Sequence, residues 1–284
     1  MQGLFNYKAI HQLKYDLLRL NAPPDKDGAN WDNAANMYNE MTKMEQNSTA
    51  YALSLLPITR KDSVVDIGCG PGRLSVPLGK MAKRVTSVDA FGKMLEFAKT
   101  NAKKAGLDNI KFIQKSWLDE DAIKVIGKHD IAIASRSVGL GDIEKLNQIA
   151  KKYAVQMCFF EHSLRQIAQN FLVGVKEQKL PPRPYKQDER MLGYNITFNL
   201  LYDMGANPNI RIITDIYEKD FQSRKQAYEF FRFLGKIPKE KEKIYRANVD
   251  KYVFETKNGF RFEQKARSYV MWWDTREIRK LKGK

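Results

Sequence analysis

Residues 63–89 read SVVDIGCGPGRLSVPLGKMAKRVTSVD, and this stretch decides the fold. The apolar run 63–67 has the length of a strand and enters three glycines, Gly68, Gly70 and Gly72, after which the spacing predicts a helix over 73–82. Glycine suits such a turn because it tolerates positive φ and lets a ligand approach the main chain with no Cβ in the way. A second strand, 84–88, then ends at Asp89, seventeen residues after Gly72. A carboxylate at that strand tip lies at the ligand crevice of an open α/β sheet, where it can accept both hydroxyls of a ribose.

The glycine spacing separates two kinds of nucleotide site. A dinucleotide fingerprint places glycines at its first, third and sixth positions, but the sixth position counted from Gly68 is Arg73. The glycines alternate instead as Gly68-Cys69-Gly70-Pro71-Gly72, and Asp66 stands two residues before the first. That acid suits a ligand with a cationic amine and no pyrophosphate.

Outward from this stretch, short β-rich runs at 110–114, 130–134 and 154–160 alternate with helical patterns near 92–105, 119–126 and 141–152. Such alternation predicts an α/β doubly wound, mostly parallel sheet with right-handed crossovers. Strand character returns at 210–217 and 261–273, which gives a seven-stranded sheet with an antiparallel last strand. Before the sheet, Trp31, Ala34, Ala35, Tyr38 and Met41 recur at helical spacing. Helical patterns at 163–178 and 188–204 flank PPRPY at 181–185 and form a helical insertion after the fifth strand; helices near 223–234 and 238–251 follow. The expected organisation is an N-terminal helical cap over 1–56, a ligand-binding core over 57–162, a helical insertion over 163–207 that could cover a substrate, and completion of the sheet over 208–284.

Residues 63–160 resemble the class I, Rossmann-like S-adenosylmethionine-dependent methyltransferases, whose first motif is an acid followed by Gly-x-Gly-x-Gly. The resemblance implies S-adenosylmethionine as cofactor and S-adenosylhomocysteine as product. It also implies that Gly68, Gly70 and Gly72 pack against the amino acid part of the cofactor, with Asp66 near its ammonium group. Asp89 would hold the ribose hydroxyls, and Ala90 and Phe91 would flank the adenine. Ser116 stands where that family often carries an aspartate, and Trp117 offers a stacking surface. The end of the fourth strand faces the transferable methyl in this family, which makes Ser135, Arg136 and Ser137 candidates for cofactor and substrate contacts. Trp31 and Tyr38 are candidates to close over the cofactor.

On the acceptor side the motifs are sparse. The Asn-Pro-Pro-Tyr type of motif used on exocyclic amines is absent after the fourth strand, as is the Pro-Cys signature of cysteine attack on a pyrimidine carbon. Glu161 and His162 follow the fifth strand, where either could take a proton from an acceptor. With three histidines in the chain and no ligand spacing around Cys69 and Cys158, no metal site is expected.

Lys+Arg at 49 against Asp+Glu at 33 gives a formal charge of +16, which permits anionic partners such as nucleic acid. The lysines are spread along the whole chain, however, with no arginine-rich tail, and no apolar run approaches the roughly 20 residues that cross a bilayer. The expectation is a cytoplasmic methyltransferase acting on a small molecule, with RNA or protein methylation, or a non-catalytic cofactor-binding subunit, as the alternatives. Oligomeric state is not legible in the sequence.

Overall fold

The computed structural model describes residues 5–20, 29–161, 170–176 and 193–278. Eight strands form one sheet: β1 Ser63–Ile67, β2 Arg84–Asp89, β3 Ile110–Gln114, β4 His129–Ser135, β5 Ala150–Glu161, β6 Asn209–Phe221, β7 Val253–Thr256 and β8 Gly259–Asp274. Their order is β3-β2-β1-β4-β5-β8-β6, with β7 paired to β8 off this path. The first five strands run parallel, and β8 is antiparallel to β5, β6 and β7. The reversal of strand order at β1 and β4 opens a crevice at their carboxyl ends, where ligands of doubly wound sheets bind.

All five residues of β1 are buried, as expected of a central parallel strand covered on both faces. One covering layer brings α4 Ser75–Met81 and α5 Gly92–Lys104 against the sheet, with Met94, Leu95, Ala98 and Ala102 as the buried stripe of α5. The other includes α6 Ala122–Ile126 and α7 Ile143–Ile149, and the Asp142 side chain caps α7 by accepting from the Lys145 amide. Among the N-terminal elements, α1 Tyr7–Leu20 packs on α8 Tyr194–Asp203, whereas α2 Ala29–Thr42 packs on α5. A 3-10 turn, Lys43–Glu45, and α3 Gln46–Ser54 then pack against β6.

The expected doubly wound sheet with one antiparallel strand is present, and it carries one strand more than the seven read from the sequence. The extra strand, β7, lies just after α9 Glu242–Asp250 and pairs with the start of β8. Strands β6 and β8 also outrun β5: the last β5 pair is Glu161 with Arg267, but pairing of β6 with β8 continues to Phe221 with Phe260. The overhanging ribbon carries a second core on the crevice side of the sheet. In it Phe171, Phe221, Phe231 and Phe262 pack with Met41 and Met44 from the N-terminal elements. PPRPY and much of the expected insertion lie outside the described residues.

Candidate cofactor and acceptor site

The turn after β1 is held by the sheet itself. The amides of Gly68 and Cys69 both donate to the Val88 carbonyl of β2, at 2.8 and 3.0 Å. All three motif glycines adopt positive φ, at 69°, 54° and 89°, but their surroundings differ. A Cβ on Gly68 would lie 2.5 Å from Cβ of Ser137, whose hydroxyl donates to the Ile67 carbonyl at 2.6 Å. A Cβ on Gly72 would press on Ala98 of α5, at 3.3 Å. At Gly70 the nearest atoms, from the Tyr38 ring and the Met94 sulfur, stand 3.7–4.0 Å from such a Cβ. Gly68 and Gly72 therefore leave little room for a side chain, whereas a Cβ on Gly70 would make ordinary contact with the Tyr38 ring and the Met94 sulfur.

Asp89 joins this turn to the tip of β2. Its Oδ2 accepts from the Gly70 amide at 2.8 Å and its Oδ1 from the Phe91 amide at 3.0 Å. Burial raises its pKa, and the backbone donors counter that rise. A carboxylate offers about four acceptor positions, so acceptor capacity remains beyond the Phe91, Gly70 and Ala90 amides. Asp66 is buried and accepts from the Ser75 hydroxyl at 2.7 Å; burial pushes its carboxyl up to about 6. The Asp89 charge adds to the rise in the Asp66 pKa, and Arg73 and the Ser75 hydroxyl act against it.

Helix α2 packs beside this turn. Asp32 accepts from the Lys93 amide at 3.0 Å, which ties α2 to the start of α5. Tyr38 lies over Gly70, and the Trp31 ring meets it edge-on at 5.8 Å, with Trp31 itself largely exposed. Beyond the tip of β2, Ala90 is exposed, and after β3 the Ser116 hydroxyl accepts from the Leu118 amide at 3.2 Å. Trp117 is buried in the main core, with its indole nitrogen unpaired and Lys145 over its ring.

At the end of β4 lies a buried charge network of which the sequence reading had singled out Ser135 and Arg136. Arg136 has φ +52°, in the left-handed region, and its guanidinium stacks 3.8 Å from the Phe159 ring centre. It donates to Glu45 at 2.7 Å and to Asp215 at 3.0 Å. Arg73 donates to the Ser135 hydroxyl and to Thr49, and its Nε lies 3.8 Å from Glu45. Ser268 donates to Asp215, and the Tyr217 hydroxyl donates to Glu45 at 3.3 Å. Burial works against the Arg136 charge, yet Glu45, Tyr217 and Asp215 hold its pKa well above the ordinary value. The network pairs two cations with two carboxylates.

Glu45, Thr49, Asp215 and Tyr217 were not among the sequence candidates. One signal pointed to Asp215: in the alternating strand it shares a face with the buried Ile213 and Tyr217, so a charge there needed a partner. Glu45 carries no comparable signal in its 3-10 turn. Of the acid-base candidates, Glu161 ends β5 with its backbone opposite Arg267, and His162 lies outside the described residues. No group of three or more metal-ligating side chains occurs among the described residues.

The strand order, the glycine turn and the acid at the tip of β2 are those expected of a class I, Rossmann-like methyltransferase domain. Residues 58–172 match the family model described as a methyltransferase domain. An uncharacterised protein of Haemophilus influenzae is 34% identical over 145 residues, 46% of this chain and 49% of that protein. The 23S rRNA (uracil(1939)-C(5))-methyltransferase RlmD of Aliivibrio fischeri is 38% identical over 80 residues, 28% of this chain and 18% of the relative. A probable cobalt-precorrin-6B C(15)-methyltransferase (decarboxylating) of Methanobrevibacter smithii is 37% identical over 81 residues, 28% of this chain and 42% of the relative. The chain thus spans less than half the length of each of these relatives.

Proposed function

We propose that the chain is a cytoplasmic enzyme that transfers a methyl group from S-adenosylmethionine to a small-molecule acceptor, with S-adenosylhomocysteine as the product. The cofactor reading is supported by Asp89 at the tip of β2, which would accept ribose hydroxyls, by the neighbouring acid Asp66 for a cationic ligand, and by the positive-φ glycine turn. Tyr38 and Trp31 would close over it, and Ala90, Ser116 and Trp117 would border the adenine. The cofactor supplies a methyl group already activated by its sulfonium, for in-line displacement by an acceptor lone pair. The protein's part is then to orient the acceptor and exclude water. Glu161 and His162 stand as candidates to receive an acceptor proton, and the cap over 1–56 and the insertion over 163–207 as the covers of the pocket.

The charge network carries the choice of a small molecule. Arg73 and Arg136 are engaged by Glu45 and Asp215, so the cations nearest the end of β4 are not free to follow a phosphate backbone. Among the described residues no helix is long and apolar enough to cross a membrane. The competing reading, RNA methylation, has the +16 charge and the likeness to RlmD in its favour.

Incubation with methyl-tritiated S-adenosylmethionine and a fractionated cell extract separates the two. Label is expected in the low-molecular-weight fraction. Label confined to RNA, with binding that weakens steeply between 50 and 200 mM salt in the manner of counterion release, would establish the competing reading instead.

A further inference from the structure

The first five strands run parallel, so their carboxyl ends share the crevice and their amino ends share the opposite edge of the sheet. That opposite edge gathers cations that lie far apart in the sequence. Lys61 stands two residues before β1, Lys83 and Arg84 lead into β2, and Lys111 is the second residue of β3. Lys128 immediately precedes β4, and Lys151 is the second residue of β5. All six are exposed, and among the described residues none of their side chains is held in an ion pair or a hydrogen bond.

The acids of this edge are mostly engaged. Asp62 and Asp130 both bind Lys152, at 2.6 and 3.4 Å, and the Ser63 amide and hydroxyl donate to Asp130, which holds its carboxyl down at about 2. A groove of about 470 Å³ opens here, lined by Arg84, Lys111 and Lys128 with one acid, Asp108, and by the apolar Ile110 and Ile126. Its frame is fixed by hydrogen bonds. The His129 ring spans from the Gly127 carbonyl, at 2.9 Å, to the Thr86 hydroxyl, at 2.8 Å, and the Asn109 side-chain amide donates to the Gly79 carbonyl at 2.9 Å.

Shape and charge together describe the ligand. Neighbouring strands lie about 4.8 Å apart, so the row of cations from β3 to β5 extends for about 20 Å. A row of that length matches a linear polyanion, whereas one phosphate or carboxylate would engage only part of it. A concave groove favours a strand over a flat lipid surface, and no Phe, Tyr or Trp lines it for stacking on bases. The lysines in the last turns of α4, α5 and α6 add charge at the same end, where they also complement the helix dipoles. The crevice end differs, with Asp119, Glu120 and Asp121 after β3 and Asp142 and Glu144 after β4.

We propose that the amino-end edge of the sheet is a docking surface for single-stranded nucleic acid, held through its phosphates by Arg84, Lys111 and Lys128 in the groove and by Lys61, Lys83 and Lys151 along the rim. Binding there reads neither base nor sugar, because the contacts are charge contacts to the backbone. The ligand lies at the end of the sheet opposite the crevice, so the surface anchors the protein to nucleic acid without presenting that nucleic acid for methylation. The proposal does not rest on the methyltransferase reading.

Fluorescence anisotropy of labelled oligouridylate and oligodeoxythymidylate with the full chain provides the test. Both are expected to bind with similar affinity in about 50 mM salt, and log K should fall linearly with log salt at about 0.7 per phosphate neutralised. Combining Arg84→Gln, Lys111→Gln and Lys128→Gln should weaken binding about tenfold or more and reduce that slope by about 2. Combining Lys225→Gln, Lys239→Gln and Lys243→Gln removes as much charge from the elements around the second core and should leave the affinity nearly unchanged. The urea midpoint of the first triple variant should match that of the wild type, which separates lost contacts from lost fold. No binding by the wild type, equal weakening by the two triple variants, or a first triple variant that loses binding only to phosphatidylserine vesicles overturns the proposal.

Discussion

The Gly70 amide donates to the Asp89 carboxylate at 2.8 Å, so the turn after β1 and the tip of β2 form one unit. Neither half is free to move alone. The backbone face that would meet the cofactor and the acid that would hold its ribose are positioned together, before any ligand arrives.

The glycines are not equivalent in their stability cost. Gly68→Ala places a Cβ 2.5 Å from Ser137 in a positive-φ conformation, which should cost about 2–4 kcal/mol from strain and overpacking combined. Gly106, also at positive φ but with nothing within 4 Å of such a Cβ, should lose only about 1–2 kcal/mol on the same change. Urea unfolding of both variants checks the ranking, and equal losses would remove the Ser137 contact from the account.

Glu45 is fully buried and binds Arg136 directly. Glu45→Gln leaves a buried guanidinium short of a countercharge and should destabilise by about 3–5 kcal/mol. Adding Arg136→Met should cost less than the sum of the two single changes, because the stranded charge goes with it. Thermal or urea unfolding of the four proteins supplies the cycle; strict additivity would contradict a coupled pair.

The acid Asp66 sets a pH trend of its own. Its folded pKa, about 6, lies above its ordinary value of 3.8, so the folded chain holds this proton more tightly than the unfolded one. Its contribution is therefore largest below about pH 4 and is lost as pH rises through about 6, a change of order 3 kcal/mol. His11 acts in the opposite sense: burial lowers its pKa from 6.5 to about 4, and stability falls as pH drops through that window. The comparison with Asp66→Asn cancels the His11 effect. Wild-type stability relative to the variant should decline by about 1–3 kcal/mol between pH 4 and 7; a flat difference would show that burial does not raise the Asp66 pKa above its unfolded value.

The parts that sequence made legible are those whose signals are local. Strands β1 and β3 coincide with the apolar runs read for them, and the turn between β1 and β2 announces itself through its glycines. Asp89 was found because a strand tip seventeen residues past a glycine turn has a fixed place in an open sheet. The buried network was hidden because its partners are distant: Glu45 and Asp215 lie 91 and 79 residues from Arg136. The aromatic lobe was hidden for the same reason, since Phe171, Phe231 and Phe262 meet only once β6 and β8 overrun the sheet. Strand β7, four residues long with one buried position, gives too weak an alternation to read.

The most direct measurement is calorimetric titration of S-adenosylmethionine and S-adenosylhomocysteine into the wild type, Asp89→Ala and Gly70→Val. Both ligands should bind the wild type with roughly micromolar affinity, about 8 kcal/mol. Both variants should lose that binding, Asp89→Ala by removing the ribose acceptor and Gly70→Val by straining the positive-φ turn whose amide holds Asp89. Absence of binding to the wild type, or affinity unchanged in both variants, would contradict the assignment of residues 63–89 as a methyl-donor site.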